Sequence, residues 1–272
     1  MAELLNYTDI QGESSGSLAG RSAILMHGMF GSLSNLASLG RALAAQGCRV
    51  VAADMPNHGE SPHSSVMNYA SMAADIIALA DHLELANPFL VGHSMGGKTA
   101  MQAALSYPQR FAGIAVLDIS PVAYEPRHDP VIAGLTELAG ALQNGSVNNR
   151  TEASSLLEAF VPDTMTRAFL LKNLYRNSAG EWCLKLNLEA LSANYYSELA
   201  TAVSGEPYLG PALLLKGESS AYIQSKHQPL IDQLLPNAQL QVVDGAGHWL
   251  HAEQPVVVEA AVVEFICRHS GI

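Results

Sequence analysis

The sequence predicts an α/β fold in which one mostly parallel sheet is covered by helices on both faces. Short apolar runs alternate with segments of helical spacing through the first 121 residues. These runs have no polar face, which is typical of strands buried on both sides in a parallel sheet. The alternation stops near Pro121, gives way to a helical and strand-poor stretch, and resumes near residue 209. We therefore expect a core of residues 1–121 and 209–272, with a helical cap of residues 122–208 inserted into it.

The first half of the core contains alternating strand and helix signals with clear stops. The apolar run SAILMH is followed by Gly28, the next helical pattern stops at Gly47, and a later one ends at Pro108. Glycine permits tight turns, and proline cannot continue a helix because it lacks the N–H donor. The predicted strands are 22–27, 49–54, 88–93 and 111–120, and the predicted helices are 34–46, 69–85 and 95–107.

The second half resumes the same alternation after the helical stretch. Open α/β sheets bind their ligands at the carboxyl ends of the strands, so we expect the cap to lie over that edge. Its candidate helices are 129–143, 151–160, 164–175 and 187–203, and the core then continues with strands 212–217 and 239–244 and helices 226–235 and 256–268.

Composition excludes several classes of protein. Hydrophobic residues make up 49% of the 272, which is enough to bury a core and argues against global disorder. The chain has 14 basic and 25 acidic residues, a net charge of −11, without a basic run. This balance predicts neither a nucleic-acid partner nor binding to an anionic membrane surface.

Cysteine usage and the amino terminus predict a cytoplasmic location. Cys48, Cys183 and Cys267 are widely spaced and form no C-x-x-C motif, so neither a disulfide framework nor a cysteine zinc site is expected. The first residues lack the basic and apolar regions of a signal peptide, and no run of 18 apolar residues predicts a membrane span.

A G-x-S-x-G motif stands between a predicted strand and a predicted helix. It reads Gly92-His93-Ser94-Met95-Gly96. A sharp strand-to-helix turn needs small neighbours and exposes the serine hydroxyl at a helix N-terminus, where backbone N–H groups favour a developing anion. The alternative is an ordinary glycine-rich turn, but the surrounding alternation favours a nucleophilic Ser94.

With this motif between a predicted strand and a predicted helix, the sequence resembles the α/β-hydrolase superfamily over nearly its whole length. The resemblance implies a cap inserted after the sixth strand. It also implies an oxyanion hole formed by the backbone N–H groups of Met29, in the H-G-x-x-G turn 27–31, and Met95, with Phe30 as the weaker alternative to Met29. His27 is expected to brace that turn rather than to contact substrate. Residues 54–61 (DMPNHGES), which out of context look like metal ligands, are expected to form a hydrogen-bonded loop beside the elbow.

The resemblance places the catalytic base near the carboxyl terminus. His248 follows the last predicted strand in a G-x-G-H motif, and the order serine then histidine is that of the hydrolases. His248 would take the Ser94 proton and pass it to the leaving group. His251 is the competing candidate, expected instead at the entrance of the terminal helix.

The orienting acid departs from the pattern of most family members. Ser220 stands where an aspartate is common after strand 212–217, whereas Asp118 ends the preceding core strand. The two strands are expected to be neighbours, so a carboxylate at the end of either would reach the histidine. We predict Asp118 as the acid, with Glu218 or no true acid as alternatives.

Taken together, the motifs narrow the resemblance to YbfF-like bacterial esterases. Arg127-His128-Asp129 is interpreted either as a charged cluster at the cleft mouth or as a solvated start of a cap helix. The aromatic candidates for lining the substrate pocket are Phe30, Tyr124, Trp182 and Trp249, with Phe160, Phe169 and Tyr195 as further candidates. Packing of the cap on the core is an equally suitable role for five of them, namely Tyr124, Phe160, Phe169, Trp182 and Tyr195.

The predicted activity is therefore a serine hydrolase that cleaves small-molecule carboxylic esters or thioesters through a Ser-His-Asp triad. No cofactor and no metal are expected, and the sequence leaves the oligomeric state open. A serine nucleophile argues against haloalkane dehalogenases and epoxide hydrolases, which use aspartate on this fold. The alternatives are a cofactorless C–C hydrolase, lyase or perhydrolase on the same triad, and a binding protein with a decayed site.

Overall fold

Nine strands and ten α-helices form within residues 3–269, the part of the chain that the structure, a computed structural model, describes. The strands are β1 (Tyr7–Ile10), β2 (Ser22–Met26), β3 (Arg49–Ala53), β4 (Phe89–His93), β5 (Gly113–Leu117), β6 (Leu174–Arg176), β7 (Trp182–Leu184), β8 (Ala212–Gly217) and β9 (Ala238–Val243). The helices are α1 (Ala37–Ala45), α2 (Tyr69–His82), α3 (Met95–Ser106), α4 (Asp129–Gln143), α5 (Arg150–Glu158), α6 (Thr164–Leu170), α7 (Leu188–Asn194), α8 (Gln228–Leu234), α9 (Leu250–Glu253) and α10 (Pro255–Arg268).

The predicted mostly parallel sheet is confirmed. Seven strands pair in the order β1-β3-β2-β4-β5-β8-β9, and all pairs are parallel except β1 with β3. Every residue of the central strands β4 and β5 is buried, which explains their unbroken apolar sequence. As expected, β5 and β8 are neighbours, so the residues that follow them meet at the same edge of the sheet.

Helices cover both faces of the sheet, as predicted. On one face α1 and α10 bury Leu39, Leu43, Val262 and Phe265 in one hydrophobic cluster. On the other face α2 and α3 belong to a second and larger cluster. At about 25 cal/mol for each Å² of buried apolar surface, such packing rather than helix propensity stabilises the short helices.

The cap segment, residues 122–208, contains α4 to α7 and the small β6–β7 hairpin. It follows the fifth strand in chain order, so the predicted position after the sixth strand is wrong for this chain. Residues 11–21, between β1 and β2, form no strand. Instead Leu18 donates a backbone hydrogen bond to Gln46, and a Cβ on Gly12 would lie 2.2 Å from the Gly47 backbone, so this segment packs against the α1–β3 turn.

The cap segment shares its core with the face of the sheet that carries α2 and α3. Leu135, Leu157 and Leu191 of the cap belong to the same buried cluster as Met72 and Met101 of the core. The segment is therefore held over the carboxyl ends of the strands by apolar packing.

Candidate active site

The turn between β4 and α3 places Ser94 in a strained conformation. Ser94 has a φ of 52° and its N–H donates to Leu117 O at 3.0 Å. The flanking glycines are required by close backbone contact, because a Cβ on Gly92 would lie 2.1 Å from Gly96 O and one on Gly96 would lie 2.3 Å from Met26 O. A non-glycine residue at positive φ is held only by surroundings that over-determine it, so this turn has the geometry of a nucleophile elbow.

Asp118 and His248 are in direct contact at the end of β5. His248 Nδ1 donates to Asp118 Oδ2 at 2.8 Å, which fixes the proton on Nδ1 because an ionised carboxylate only accepts. Asp118 is fully buried, also has a positive φ of 53°, and accepts a second hydrogen bond from Gly217 N at 2.9 Å. The Nε2 atom of His248 is therefore the nitrogen left to accept a proton.

The serine that replaces the usual acid also contacts this carboxylate. The hydroxyl of Ser220 donates to Asp118 Oδ2. Glu218, the other candidate acid, lies elsewhere and accepts from Gly245 N at 2.8 Å. The structure thus brings Asp118 and not Glu218 to His248, and Ser220 supports the carboxylate instead of replacing it.

Ser94 and His248 line one cavity of about 500 Å³ at the carboxyl edge of the sheet. Within residues 3–269 no hydrogen bond joins the Ser94 hydroxyl to the His248 ring, and catalytic contacts of this type often tighten only when substrate binds. Tyr222 stacks on the His248 ring with centroids 4.0 Å apart. His93 Nε2 hydrogen-bonds to His248 O at 2.9 Å, so both the ring and the backbone of His248 are held in place.

The H-G-x-x-G turn packs directly against the elbow. Gly96 N donates to His27 O at 3.1 Å, and a Cβ on Gly28 would lie 3.2 Å from the Ser94 Cβ. The Phe30 N–H is used by His58 Nε2 at 3.0 Å, whereas the Met29 N–H has no hydrogen-bond partner among the described residues. Met95 is the first residue of α3, where N–H groups have no intrahelical acceptor. This arrangement favours Met29 over Phe30 as the first donor.

The comparisons with known proteins decide the family. A family model described as the alpha/beta hydrolase fold matches residues 24–255. The chain belongs to the α/β-hydrolase family. This hydrolase is 39% identical over 248 residues to an sn-1-specific diacylglycerol lipase of Xenopus tropicalis, covering 88% of this chain and 76% of the relative.

Two further relatives confirm the narrower resemblance to YbfF-like esterases. Esterase YbfF of Escherichia coli is 32% identical, covering 89% of this hydrolase and 92% of its own chain. The solved structure of a marine microorganism esterase has a TM-score of 0.88 and 34% identity, covering 97% of this chain and 100% of that one. Together with the diacylglycerol lipase, these similarities support an ester hydrolase of the carboxylesterase type.

The aromatic candidates of this hydrolase divide between two cavities and packing against the hydrophobic core. Phe30, Phe169 and Trp249 line the large cavity, while Tyr124 and Tyr195 line a smaller one beside it. Trp182 lines neither cavity and instead follows the packing alternative, because it lies half-buried against the larger hydrophobic cluster. Its Nε1 donates to Asn148 O at 2.7 Å, and Arg176 stacks on its ring at 4.6 Å.

Phe160 also lines neither cavity. It packs against Gly134 of α4, where a Cβ on the glycine would lie 2.8 Å from the Phe160 Cβ. This residue therefore serves the packing of the cap segment, which was the alternative interpretation.

Neutral histidines surround the candidate base. Burial lowers the pKa of His128 and of His251 to about 4 and that of His93 well below its usual value. His251 lines the large cavity with its ring 4.4 Å from the His93 ring, and Asp118 contacts His248 instead. His251 therefore lacks the carboxylate partner that would orient a base.

The triplet 127–129 is both the start of a cap helix and a contributor to the mouth of the cleft. Asp129 begins α4, and the backbone N–H groups of Arg127 and His128 donate to the Tyr195 hydroxyl at 2.7 and 2.9 Å. Only the His128 side chain of the triplet contacts Phe30, at a ring-centroid distance of 5.8 Å, and His128 lines both cavities. The triplet is the start of a cap helix, with His128 at both cavities and the exposed Arg127 at the edge of the small one.

The loop 54–61 is held by hydrogen bonds. Asp54 accepts from Leu33 N at 2.8 Å and from Glu60 N at 3.0 Å, and Met55 N donates to His27 Nε2 at 2.9 Å. Burial lowers the pKa of His27 to about 4 and of His58 to about 3. His27 thus braces the turn as expected. Among residues 3–269 no three His, Cys, Asp or Glu side chains are grouped as a metal ion would require.

Two residues that the sequence analysis missed stand beside the nucleophile. Tyr222 stacks on His248 and lines both cavities, but it follows Ser220 in a loop with no recognisable signal. Lys98 is 1% exposed in α3, four residues after Ser94. The sequence does contain a signal for Lys98, because it lies in a helix, GGKTAMQAAL, whose other residues are mostly small or apolar. Lysine is unusual at a buried position of such a helix.

Proposed function

We propose that this hydrolase cleaves small-molecule carboxylic esters through a covalent acyl-enzyme, with Ser94 as nucleophile, His248 as base and Asp118 as orienting acid. The observation that carries this proposal is the 2.8 Å contact from His248 Nδ1 to Asp118 at the end of β5, beside the strained Ser94 turn. The esterase and lipase names of the relatives support the same chemistry.

The reaction follows from the positions of these groups. His248 Nε2 takes the proton of Ser94 as its oxygen attacks the ester carbonyl, and the carbonyl electrons move to the oxygen. The N–H groups of Met29 and Met95 stabilise that oxyanion, each contributing about 3 kcal/mol. The tetrahedral intermediate then collapses, the bond to the alkoxide breaks, and His248 gives its proton to the alkoxide.

Water completes the cycle. His248 removes a proton from water, the hydroxide attacks the acyl-enzyme, and Ser94 leaves with the proton returned by His248. An acyl thioester passes through the same intermediate, with a thiolate in place of the alkoxide. The assay should therefore include both esters and thioesters. It should also include acylglycerols, which the name of the Xenopus tropicalis relative suggests.

We also propose that residues 122–208 act as a cap domain on a core of residues 1–121 and 209–272. The support is that β5 and β8 pair directly although the cap segment separates them in sequence, and that Phe169 and Met165 of α6 line the large cavity. Limited proteolysis tests this division, with early cuts expected at the boundaries near residues 122 and 208.

A cytoplasmic location is the last part of the proposal. It is supported by the free thiols of Cys48, Cys183 and Cys267. No helix within residues 3–269 is long and apolar enough to cross a membrane. Fractionation of expressing cells with a periplasmic and a cytoplasmic marker tests this location.

The deciding experiment assays p-nitrophenyl esters from acetate to palmitate, a monoacylglycerol and a panel of acyl-CoA thioesters. Wild type and Ser94→Ala are compared, and both are treated with a fluorophosphonate that labels active serines. We expect turnover and labelling in the wild type and loss of both in Ser94→Ala. A folded wild type that labels at Ser94 without turning over any ester would move the activity to C–C cleavage, elimination or perhydrolysis. No labelling would favour a binding protein.

A further inference from the structure

The smaller cavity opens at the reacting atoms. Its walls include Met29, Ser94 and Met95, the same residues proposed to hold the nucleophile and the oxyanion. Its volume is about 50 Å³, room for on the order of three water molecules. A group that enters it from the reacting carbonyl is therefore short.

Lys98 lies at this cavity, one helical turn along α3 from the nucleophile. Ser94 caps the N-terminus of α3, Lys98 N donates to Ser94 O at 3.0 Å, and both residues line this cavity. The side chain is 1% exposed. Its Nζ donates to Thr201 O and lies 5.3 Å from the Tyr69 ring centroid and 4.9 Å from that of Tyr124.

These contacts leave the ammonium without a counter-charge. An ammonium has three donors, and one of them is used by Thr201 O. Among the described residues no carboxylate pairs with Lys98; Glu125 and Arg127, of opposite charge, also line the cavity but are exposed. An unpaired buried cation is unfavourable, and burial accordingly lowers the pKa of Lys98 to about 7. A purely structural position would be better filled by an apolar side chain of the same length.

The position of the base decides which half of the ester faces Lys98. His248 must reach the oxygen of the leaving group, and His248 lines the large cavity but not the small one. The alcohol half therefore lies in the large cavity among Phe169, Trp249 and Met165, and the acyl half points into the small one.

We propose that the acyl half of the preferred substrate is short and ends in a carboxylate that pairs with Lys98. The preferred substrates are then half-esters or half-thioesters of short dicarboxylic acids. The carboxylate supplies the missing counter-charge, and the small volume restricts the spacer to a few carbon atoms. The inference rests on the proposed function, because it assigns the acyl and alcohol halves from the role given to His248.

The test compares charged substrates with neutral ones of equal shape. Ethyl 4-methylpentanoate differs from monoethyl succinate by an isopropyl group in place of the carboxylate, and ethyl 5-methylhexanoate matches monoethyl glutarate in the same way. In wild type we expect kcat/KM to be at least about tenfold higher for one of the half-esters than for its neutral match, the size expected for a hydrogen bond to a charged group. Equal or reversed preference in the wild type overturns the proposal.

Lys98→Met tests the residue itself. We expect the ratio of kcat/KM for half-ester over neutral match to fall at least about tenfold, with the change mainly in KM, and Lys98→Arg to retain part of the preference. Lys226→Met, which removes an exposed lysine outside both cavities, is the matched control and should keep the wild-type ratio. An equal loss on both substrates in Lys98→Met would mean that Lys98 only supports the fold, and would overturn the proposal.

Two controls separate this inference from the proposed function. Fluorophosphonate labelling of Ser94 and hydrolysis of p-nitrophenyl acetate report the triad whether or not Lys98 binds a carboxylate. O-acetyl-lactate carries its carboxylate on the alcohol half. If this ester, rather than the half-esters, shows a preference that depends on Lys98, the anion lies in the leaving group and the acyl assignment is wrong.

Discussion

The edge of the sheet and the cap segment build the same site in different ways. At the sheet edge, backbone geometry holds the groups that we propose to react: Ser94 and Asp118 both have positive φ, and each directly follows a fully buried strand. The cap segment contributes side chains such as Phe169 and Tyr195, which form cavity walls. Chemistry is thus fixed by the rigid sheet, while the space offered to substrate is set by packing of the cap.

The largest expected effect comes from the acid at the sheet edge. Asp118→Asn preserves the shape of the side chain but removes the charge that orients and stabilises the protonated His248. We expect kcat to fall by up to about 10⁴-fold with the fold intact, as for the equivalent change in a serine protease. Steady-state kinetics on a p-nitrophenyl ester, with circular dichroism as the folding check, measures this.

Glu218→Gln is the matched control for that substitution. Glu218 contacts Gly245 N and not His248, so kcat should stay within about twofold of wild type, as for a surface change away from the site. The reverse pattern, with Glu218→Gln inactive and Asp118→Asn active, would assign the acid to Glu218.

Acid sensitivity is the next largest effect, and His27 and His58 in the loops at the sheet edge share it with the buried His93, His128 and His251. Burial lowers the pKa of His27 to about 4 and of His58 to about 3, while the unfolded chain has the ordinary value near 6.5. Below pH 6.5 the unfolded state therefore binds protons that the folded state does not, and the free energy of unfolding falls as pH drops toward 4. His27 alone would contribute a loss of about 3 kcal/mol over that range.

Urea denaturation at pH 7.5, 6.5 and 5.0 measures this effect. The midpoint should fall slightly between pH 7.5 and 6.5 and clearly at pH 5.0, before most carboxylates titrate. A midpoint that is constant down to pH 5.0 would show that these histidines are not held neutral by the fold.

Ser220 should have a smaller, positioning effect. Its hydroxyl donates to the carboxylate that holds His248, and Tyr222 N donates to the same hydroxyl at 3.2 Å. Removing a hydrogen bond to a charged group costs about 2 kcal/mol, so Ser220→Ala should lower kcat by about 30-fold. Steady-state kinetics with circular dichroism as the folding check measures this, and an unchanged kcat in Ser220→Ala would show that the hydroxyl does not position Asp118.

The sheet edge was the more predictable region because its signals are local in sequence. A few neighbouring residues were enough to predict the role of each of three features: the motif at 92–96, the turn at 27–31 and Asp118 at the end of a strand. The neighbouring position of β5 and β8 then follows from the rules of parallel sheets, which connected Asp118 with His248 over a sequence separation of 130 residues.

The cap segment was less predictable because its contacts depend on how elements meet in space. The sequence left Trp182 between the cavity and the packing of the cap, and the structure places it in the packing. Tyr222 was missed because its role depends on stacking against a histidine from another loop. The position of the cap segment in the strand order came from the family resemblance, whereas five strands precede it in this chain and residues 11–21 pack on the α1–β3 turn.

The smallest expected effect tests the walls of the large cavity with its two tryptophans. Trp249 lines the cavity with its ring 5.4 Å from Phe169, whereas Trp182 stacks on Arg176 outside it. Trp249→Ala should raise KM several-fold for esters of bulky alcohols and less for ethyl esters, because it removes apolar surface worth about 2 kcal/mol when fully buried. Trp182→Ala should leave both KM values unchanged and lower only thermal stability. If the two variants changed KM equally, the β6–β7 hairpin would have to approach the substrate. Trp182 would then count among the cap residues that form the wall of the substrate cavity.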